Sequence, residues 1–581
     1  MKRLMGFALT WAAVTGLQAQ TLPDIKPNEV EIRTARPIEL PDLKRPPITQ
    51  LVVPPRPYLP PDTRMPLIVP VKQRPTELAH SGLTDLQADS RFSLTSASPR
   101  DLMVKASLGR FWSRELEAVL NVPVLKNGDL LANLKYDGAS GYQPFAAKPT
   151  LKAPYNRFDA AAALLRTVGK STASAGLEGF FAENKLFGAD TAHVVGPDIL
   201  PQPTRSGLGF GLNAGLYGNE NAALPYQVKL RYTATRYVTD LFAVLPETYK
   251  RIENALDLSA GSNYTMSKAT FFAHGRAMLA ALDNDALGAN RLLVVDGGVE
   301  SFVTEKICVR LGLMYAGMTA SKENTGNASS SGRYISPILK GEYYPNKRVK
   351  IYLANMPSVT PRSLDGVLQL NPYLIDAPAV MPDVQTVNLE GGASFQREPY
   401  RYTVKAGFVH SPNFLYFTKT DQNRYAGYVR GVFQPNYHPA DYFFVGAEGA
   451  VNLFSSIWAN ASVTLRDGRL VGQNGQPDTT IPYFAALLGN GSVSYRFLQD
   501  KARLQAGFQA ESRRYTDPQK TKSLLPFVDL HLEGSYEIAK QYAIFAQAKH
   551  AAASPLEHWE GYPEARFILM AGFKSALALV K

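Results

Sequence analysis

The residues best suited to chemistry in this 581-residue chain are histidines and carboxylates, and one histidine has a distinctive setting. His531 lies between Asp529 and Glu533 in the stretch FVDLHLEGSYEI, residues 527–538. A histidine beside carboxylates could act as a general base or bind a metal ion. A helical metal site or a metalloprotease would need a second histidine at a fixed spacing. None of the eight histidines provides it; they are His80, His193, His274, His410, His438, His531, His550 and His558.

Two other patterns that can signal chemistry do not do so here. The single cysteine, Cys308, permits no internal disulfide and no cysteine-based metal cluster. The stretch GLGFGLNAG (207–215) resembles a dinucleotide-binding loop, but its glycines alternate along a strand instead of leading into a helix. We therefore predict no enzyme activity and no cofactor or metal site. We interpret His531 as a hydrogen-bonded wall residue, and the glycines as a smooth strand face that leaves room for larger neighbours.

The element that carries His531 has a period of two. Val528, Leu530, Leu532, Tyr536 and Ile538 share one parity, whereas Asp529, His531, Glu533, Ser535 and Glu537 share the other. This alternation predicts a β-strand with one apolar and one polar face. In a soluble sandwich the apolar face would point into a core. In a membrane barrel it would point outward to lipid, and the polar face would line the lumen.

The same alternation recurs in VKLRYTA (228–234), YRYTVKAGF (400–408) and ARLQAGFQAESR (502–513). Many strands reach about 9–11 residues, the length of a tilted membrane-spanning strand. Charged residues on the polar parities are our candidates for the lining of a lumen, where they would set solute selectivity or simply be hydrated and paired across strands. These lumen-facing candidates are Lys229, Arg231, Arg401, Lys405, Arg503, Arg513, Asp529, His531, Glu533 and Glu537.

The connections between strands alternate in length over the C-terminal half. Tight connections are predicted at 344–348, 396–399, 434–441, 498–501 and 537–541. Longer ones are predicted at about 355–384, 411–423, 466–482, 513–526 and 550–564. Short turns on one side and long loops on the other are typical of outer-membrane barrels. We predict an all-β fold, a large antiparallel transmembrane β-barrel of about 16–22 strands over residues 98–581.

The chain before residue 98 has a different composition. Residues 1–19 resemble a secretory signal peptide, with a basic start, an apolar run and a small residue at Ala19. Residues 20–97 are predicted to form a disordered, proline-rich periplasmic extension, because 14 of the chain's 41 prolines fall within 20–75. No later apolar run approaches the ~18–20 residues of a membrane helix. The net charge of +12 comes from scattered residues and does not indicate nucleic-acid binding.

A family resemblance lies in the long loop and the strand after it. The segments SLDGVLQLNPYL (363–374) and PDVQTVNLEGGASFQ (382–396) are similar to a recurring region of TonB-dependent outer-membrane receptors. The matching pairs are Asn371-Pro372, Pro382-Asp383 and Glu390-Gly391, with Asp383 where the family usually has glutamate. The resemblance covers roughly residues 330–581.

The resemblance implies a 22-stranded barrel that receives a solute at the cell surface. The family also has a globular plug of over a hundred residues, and the stretch before residue 98 does not offer one, so we expect a barrel lacking a recognisable plug domain. A segment with some likeness to a TonB box comprises Glu29, Val30, Glu31, Ile32 and Arg33. Such a segment would pair with the edge of a partner's sheet.

We therefore expect an outer-membrane protein for passage or docking of solutes, without catalysis or cofactors. Its expected partners are outer-membrane lipid and a TonB-like periplasmic protein bound through residues 20–75. A structural or scaffold barrel in an envelope or secretion assembly, without transport of its own, is the alternative. The sequence does not identify a transported solute.

Overall fold

The computed structural model describes residues 102–577 except 126–127, 145–151, 189–202, 219–223, 241–247, 267, 284–288, 321–330, 375–379, 398, 421–430, 454–455, 474, 540 and 553–555. The predicted signal peptide, the extension and Glu29–Arg33 lie outside the described residues. The strands are β1 (Leu102–Gly109), β2 (Ser113–Leu125), β3 (Gly128–Ala139), β4 (Tyr155–Val168), β5 (Ser171–Lys185), β6 (Thr204–Gly218), β7 (Tyr226–Asp240), β8 (Thr248–Met266), β9 (Ala269–Leu282), β10 (Asn290–Thr304), β11 (Ile307–Thr319), β12 (Ser331–Asn346), β13 (Val349–Asn355), β14 (Ser358–Thr360), β15 (Asp383–Gln385), β16 (Val387–Arg397), β17 (Tyr400–Lys419), β18 (Phe433–Leu453), β19 (Ile457–Leu470), β20 (Thr479–Thr480), β21 (Leu487–Phe497), β22 (Ala502–Glu511), β23 (Arg514–Tyr515), β24 (Ser523–Leu524), β25 (Phe527–Ala539), β26 (Tyr542–Lys549), β27 (Glu557–Trp559), β28 (Tyr562–Pro563) and β29 (Ile568–Leu577). One α-helix, α1 (Leu364–Leu370), and a 3₁₀ turn (Arg110–Trp112) complete the described elements.

The main sheet closes on itself to form a barrel. It has 23 strands. The two-residue β20 pairs only with the last two residues of β19, so the other 22 strands form the wall. Neighbouring wall strands pair antiparallel, and β1 pairs with both β2 and β29, from Leu102↔Leu577 to Gly109↔Met570. Closure leaves no free sheet edge. The predicted all-β antiparallel barrel is confirmed, with a strand number at the top of the expected range.

The exposure of the side chains on β25 shows which face of the strand points out of the barrel. Val528 is 46% exposed and Leu532 is 49% exposed, whereas Asp529 between them is 4% exposed and lies on the inside. Large apolar side chains are exposed in the same way on the outer face of most wall strands, for example Leu208, Leu293 and Ile335. The apolar parity therefore points out of the barrel, and the polar parity points in.

The two ends of the barrel differ as predicted. In the C-terminal half, the turns at one end contain two to four residues, from 305–306 to 540–541. The loops at the other end contain 11 to 31 residues, from 320–330 to 356–386. We call these the turn end and the loop end. Leu102 and Leu577, the two ends of the barrel wall, both lie at the turn end.

The prediction of a tight connection at 434–441 is wrong, because this segment lies inside β18. β17 also continues to Lys419, so the connection predicted at 411–423 begins later. Pro435 pairs with Phe417 of β17, but β18 meets its other neighbour β19 only from Ala440 onward. Residues 433–439 thus have one strand partner, and a proline there need not remove a ladder hydrogen bond. The prolines led to the prediction of a turn, whereas they lie in a part of β18 that is paired with a strand on one side only.

The alternating glycines of residues 207–215 lie in β6, as predicted. A Cβ atom at Gly209 would overlap the ring of Phe180 on β5, and one at Gly207 would overlap the ring of Tyr237 on β7. The glycine face therefore accommodates two large inward-pointing aromatic rings from the neighbouring strands.

Candidate functional site

The inner wall of the barrel is lined by ion pairs that join strands one or a few positions apart in the sheet. Arg231 on β7 contacts Glu178 on β5 at 2.5 Å, and Lys405 on β17 contacts Glu390 on β16 at 3.8 Å. Glu533 on β25 binds Lys574 and lies 3.8 Å from Lys105. Exposed or half-exposed pairs of this kind contribute at most about 1 kcal/mol each to stability. Their main consequence is a polar, charge-balanced surface inside the wall.

The other predicted lining residues have different surroundings. Arg503 donates to the hydroxyl oxygen of Ser494 at 2.8 Å, and the Lys229 ammonium lies over the ring of Tyr217 at 5.7 Å. Arg401 and Glu537 lie on the polar parity of β17 and β25. Arg513 does not lie on the wall, because β22 ends at Glu511 and the exposed Arg513 belongs to the following loop.

Asp529 and His531 are held in a buried group near the loop end. The Asp529 carboxylate lies 3.0 Å from Nε2 of His531 and 3.2 Å from Nδ1 of His550 in the loop after β26. His531 is thus hydrogen-bonded, as interpreted from the sequence, although it is more enclosed than a hydrated wall residue. Among the described residues, no group of three or more His, Cys, Asp or Glu side chains is arranged to hold a metal ion.

Several wall pairs were not predicted from the sequence. Most join charged residues on strands that are adjacent in the sheet, so one strand's pattern reveals only half of the pair. The exceptions are Glu115–Lys549, which spans β2 to β26, and Lys340–Glu342, which lies within β12. A period-two search for charged residues on every strand could have found the members, but not the partners. The missed pairs are Glu115–Lys549, Asp257–Arg276, Asp296–His274, Glu300–Arg310 and Glu342 with Lys340 and Lys350.

The longest loop, residues 356–386, carries the only α-helix among the described residues. Ser363 caps helix α1, since its hydroxyl oxygen accepts the Gly366 N–H at 3.1 Å. Leu364, Val367 and Leu368 of α1 are buried in a large apolar cluster with residues from several other loops. The segment that carries the family resemblance is therefore a folded unit packed against the wall.

One side of this loop is fixed to β4, β6, β7 and β8. The Asp365 carboxylate accepts hydrogen bonds from Tyr237 at 2.6 Å and from Arg157 at 3.3 Å. The Glu253 carboxylate accepts the Leu364 N–H at 2.9 Å. Arg205, only 2% exposed, donates to the carbonyl oxygens of Pro372 and Leu374 at 3.1 and 2.7 Å.

The other side of the same loop is fixed to β17 and β18. The Tyr437 hydroxyl accepts the Met381 N–H at 3.0 Å, and Asn413 donates to the Pro382 carbonyl oxygen at 2.7 Å. Ser411 donates to the Asp383 carboxylate at 3.0 Å. The Asn-Pro and Pro-Asp pairs noted in the sequence thus lie at the two anchorages of a loop that joins separate parts of the wall.

Aromatic side chains from other loops pack against this loop. Tyr373 of this loop stacks on Tyr562 with ring centroids 3.7 Å apart and packs edge-on against Phe187 at 5.7 Å. Next to it, Phe433 at the start of β18 packs edge-on against Trp559. We call the assembly of loops 356–386, 471–486, 512–526 and 550–567 the cap. The cap fills part of the loop end with buried apolar groups, so the polar inner wall is not freely open there.

The cap also buries charged and titratable groups. The Arg514 guanidinium contacts Glu511 at 3.3 Å and donates to the Glu557 carbonyl oxygen at 2.8 Å. Burial, reinforced by the positive charge of Arg514, lowers the pKa of His558 to about 3. Burial, reinforced by the nearby Asp529, raises the pKa of Glu564 to about 8. These two side chains lie 3.7 Å apart.

Sequence comparison identifies no relative of this chain: no family model matches, and no curated protein matches. Among the described residues, no helix is long and apolar enough to cross a membrane.

Solved structures of large receptors and transporters share the fold. The FrpB iron transporter from Neisseria meningitidis matches with a TM-score of 0.64 at 8% identity, over 83% of this chain and 82% of that one. The ferric-catecholate import receptor Fiu from E. coli K12 matches with a TM-score of 0.58 at 11% identity, over 82% and 81%. The copper transporter OprC has the same score and identity, over 82% and 80%. At these identities the likeness extends to the fold alone.

Proposed function

We propose that this protein is an outer-membrane β-barrel through which a solute crosses the membrane or on which it docks. The observation that carries the proposal is the combination of an apolar outer face with an ion-paired, polar inner wall in a closed 22-stranded barrel. This distribution suits a wall between lipid and water. The shared fold with iron and copper transporters and an import receptor supports the same function.

The cap would act as the closing element of this passage. It is anchored to β4–β8 on one side and to β17–β18 on the other, so a solute would pass only after some of these contacts break. Arg205 is a deeply buried anchor, and it holds the backbone just after α1. Long loops at the cell surface would select the solute, and lumen charges such as Lys405 and Arg231 would tune what passes.

The N-terminal extension would act on the periplasmic side. Residues 20–97 would reach a periplasmic partner or partly occlude the lumen, and Glu29–Arg33 would pair with a TonB-like protein by strand addition. The wall begins and ends at the turn end, which the proposal assigns to the periplasm, so the extension would start from that side.

Single-channel conductance in a planar bilayer tests the proposal. The refolded chain without residues 1–19 should conduct weakly, and Arg205→Ala should raise its conductance by freeing the cap. Arg166→Ala, an exposed change on the outer face of β4, is the control and should change nothing. Each form is also measured without residues 20–97, whose removal should raise conductance if the extension occludes the lumen. Absence of conductance from every form, with a folded barrel, would contradict passage and favour a scaffold role.

A further inference from the structure

A row of basic residues lies on the outer face of the barrel near the loop end. We call it the basic rim; it consists of Arg236 on β7, Lys250 on β8, Arg291 on β10 and Arg333 on β12. All four residues are exposed. They lie on the opposite parity from inward-facing, buried neighbours such as Tyr237, Leu292 and Ser336.

All four residues lie within five residues of the loop end of their strands. Lys250 is opposite Val238, two residues beyond Arg236. Arg291 pairs with Thr319, which pairs with Ser331, and Arg333 lies two residues from Ser331 toward the turn end. The rim crosses five inter-strand steps of about 4.8 Å, or roughly 24 Å in all. This width is sufficient for more than one lipid headgroup.

The rim directly borders the apolar outer face. One step toward the turn end on the same face, Lys250 is followed by Ile252, Arg291 by Leu293 and Arg333 by Ile335. These three apolar side chains are themselves exposed. Cationic groups immediately above an apolar belt lie where the headgroup region of a bilayer begins.

The opposite charge pattern occurs at a comparable place on another sector. On the outer face of β17–β19, Asp441 contacts His410 at 2.6 Å, and Asp467 lies opposite the exposed Phe443. Arg469 in that sector is paired with Asp478 at 3.1 Å. The basic character is thus a property of the β7–β12 sector and not of the whole circumference.

We propose that the basic rim binds the phosphate groups of anionic lipids in the leaflet at the loop end. Guanidinium and ammonium groups form charge-assisted hydrogen bonds with phosphate oxygens, and a guanidinium can do so with two at once. A solute inside the lumen would not contact these outward-facing groups. The inference rests on the proposed membrane location, but it is independent of whether a solute passes through the barrel.

Native mass spectrometry of the full chain in detergent, with bis-phosphorylated lipid A as the probe, tests this surface. In the variant Arg236→Gln/Lys250→Gln/Arg291→Gln/Arg333→Gln, the amount of bound lipid A should fall about tenfold or more relative to the unchanged protein. The control variant Arg166→Gln/Arg397→Gln removes two exposed basic residues from the outer face near the turn end and should retain lipid normally. The charge-retaining variant Arg236→Lys/Arg291→Lys/Arg333→Lys should also bind.

Three results would overturn the proposal: undiminished binding by the fourfold variant, equal binding of dephosphorylated lipid A, or displacement of the lipid by inorganic phosphate. Heat-modifiable mobility on gels shows whether each variant is folded. If the fourfold variant does not fold, the four single variants are compared, and equal binding by all of them counts against the rim. Conductance is measured on the same samples, so failure of passage and failure of lipid binding are separate outcomes.

Discussion

Asp365 shows how single side chains hold the cap to the wall. Its carboxylate accepts hydrogen bonds from Tyr237 and Arg157 on two wall strands, and from Gln369 within α1. The carboxylate is largely enclosed, so it depends on these donors in place of water. Each partner therefore contributes to the position of the loop more than a surface contact would.

Tyr237→Phe should weaken the attachment of the cap by about 1–2 kcal/mol, because it removes one hydrogen bond to a partly buried carboxylate and keeps the ring. We expect faster limited proteolysis within 356–386 and unchanged heat-modifiable mobility of the barrel. The matched control is Tyr232→Phe on the same strand, which removes a hydrogen bond to Asn254. Equal proteolysis of Tyr237→Phe and the unchanged protein would contradict this role of Asp365.

The pair His558 and Glu564 makes the stability of the cap depend on pH. The pKa of Glu564 is about 8 in the folded cap and near 4.5 when unfolded, so folding becomes more favourable as pH falls from 8. The pKa of His558 is about 3 when folded and near 6.5 when unfolded, so folding becomes less favourable as pH falls from 6.5. Between pH 6.5 and 4.5, the effects of Glu564 and His558 on the free energy of unfolding oppose each other. The cap should be most stable in that interval.

Acrylamide quenching of Trp559, which is buried in the cap, measures this profile. In a Trp112→Phe/Trp458→Phe background without residues 1–19, which contain Trp11, quenching should be least near pH 5–6 and rise toward pH 8 and toward pH 3.5. Glu564→Gln should abolish the rise on the alkaline side and leave the acid side in place. A flat profile in the unchanged cap would show that these pKa values do not govern its opening.

At the scale of elements, α1 is a short helix that depends on its cap and its packing. A helix of seven residues is not stable in isolation. Ser363 satisfies one N–H of its first turn, and Leu364 and Val367 bury its apolar side. Local capping and tertiary burial must both persist for the loop to stay folded against the wall.

Ser363→Ala should destabilise the folded loop by about 1 kcal/mol, because the Gly366 N–H loses its acceptor. Ser363→Gly should cost only a few tenths of a kcal/mol, since glycine is tolerated at this position. Hydrogen exchange of peptides that cover 361–372 compares the two variants. Exchange in Ser363→Ala as slow as in the unchanged protein would contradict capping by the Ser363 side chain.

Local patterns predicted the wall better than they predicted the loops. Period two identified β25 and its outward apolar face, because outward-facing and inward-facing residues must alternate in a closed wall. The prolines of 434–441 led to a wrong turn, since only the pairing of β18 with β17 alone explains them. The contacts of Arg205 and Tyr237 with residues more than a hundred positions away follow from the closed fold, and no single strand's pattern contains them.

At the scale of the whole molecule, the wall varies in height around the barrel. β17 and β18 have 20 and 21 residues, whereas β1 and β26 have eight each and β29 has ten. The closing pair β1–β29 contains eight register pairs. Eight tilted residues span about 20 Å of bilayer, less than the apolar band of about 25 Å that is typical of outer-membrane barrels.

The seam between β1 and β29, where the chain closes the barrel, should therefore be more sensitive to bilayer thickness than the longer strands of the wall. Hydrophobic mismatch costs fractions of a kcal/mol per Å, and at the seam it falls on a ladder of only eight register pairs. In phosphatidylcholine bilayers, lengthening the acyl chains from 12 to 18 carbons should speed hydrogen exchange in peptides covering 102–109 and 568–577. Peptides covering 226–240, in the 15-residue β7, should change little and serve as the internal control. An equal change in exchange across all three regions would contradict a greater sensitivity of the seam to bilayer thickness.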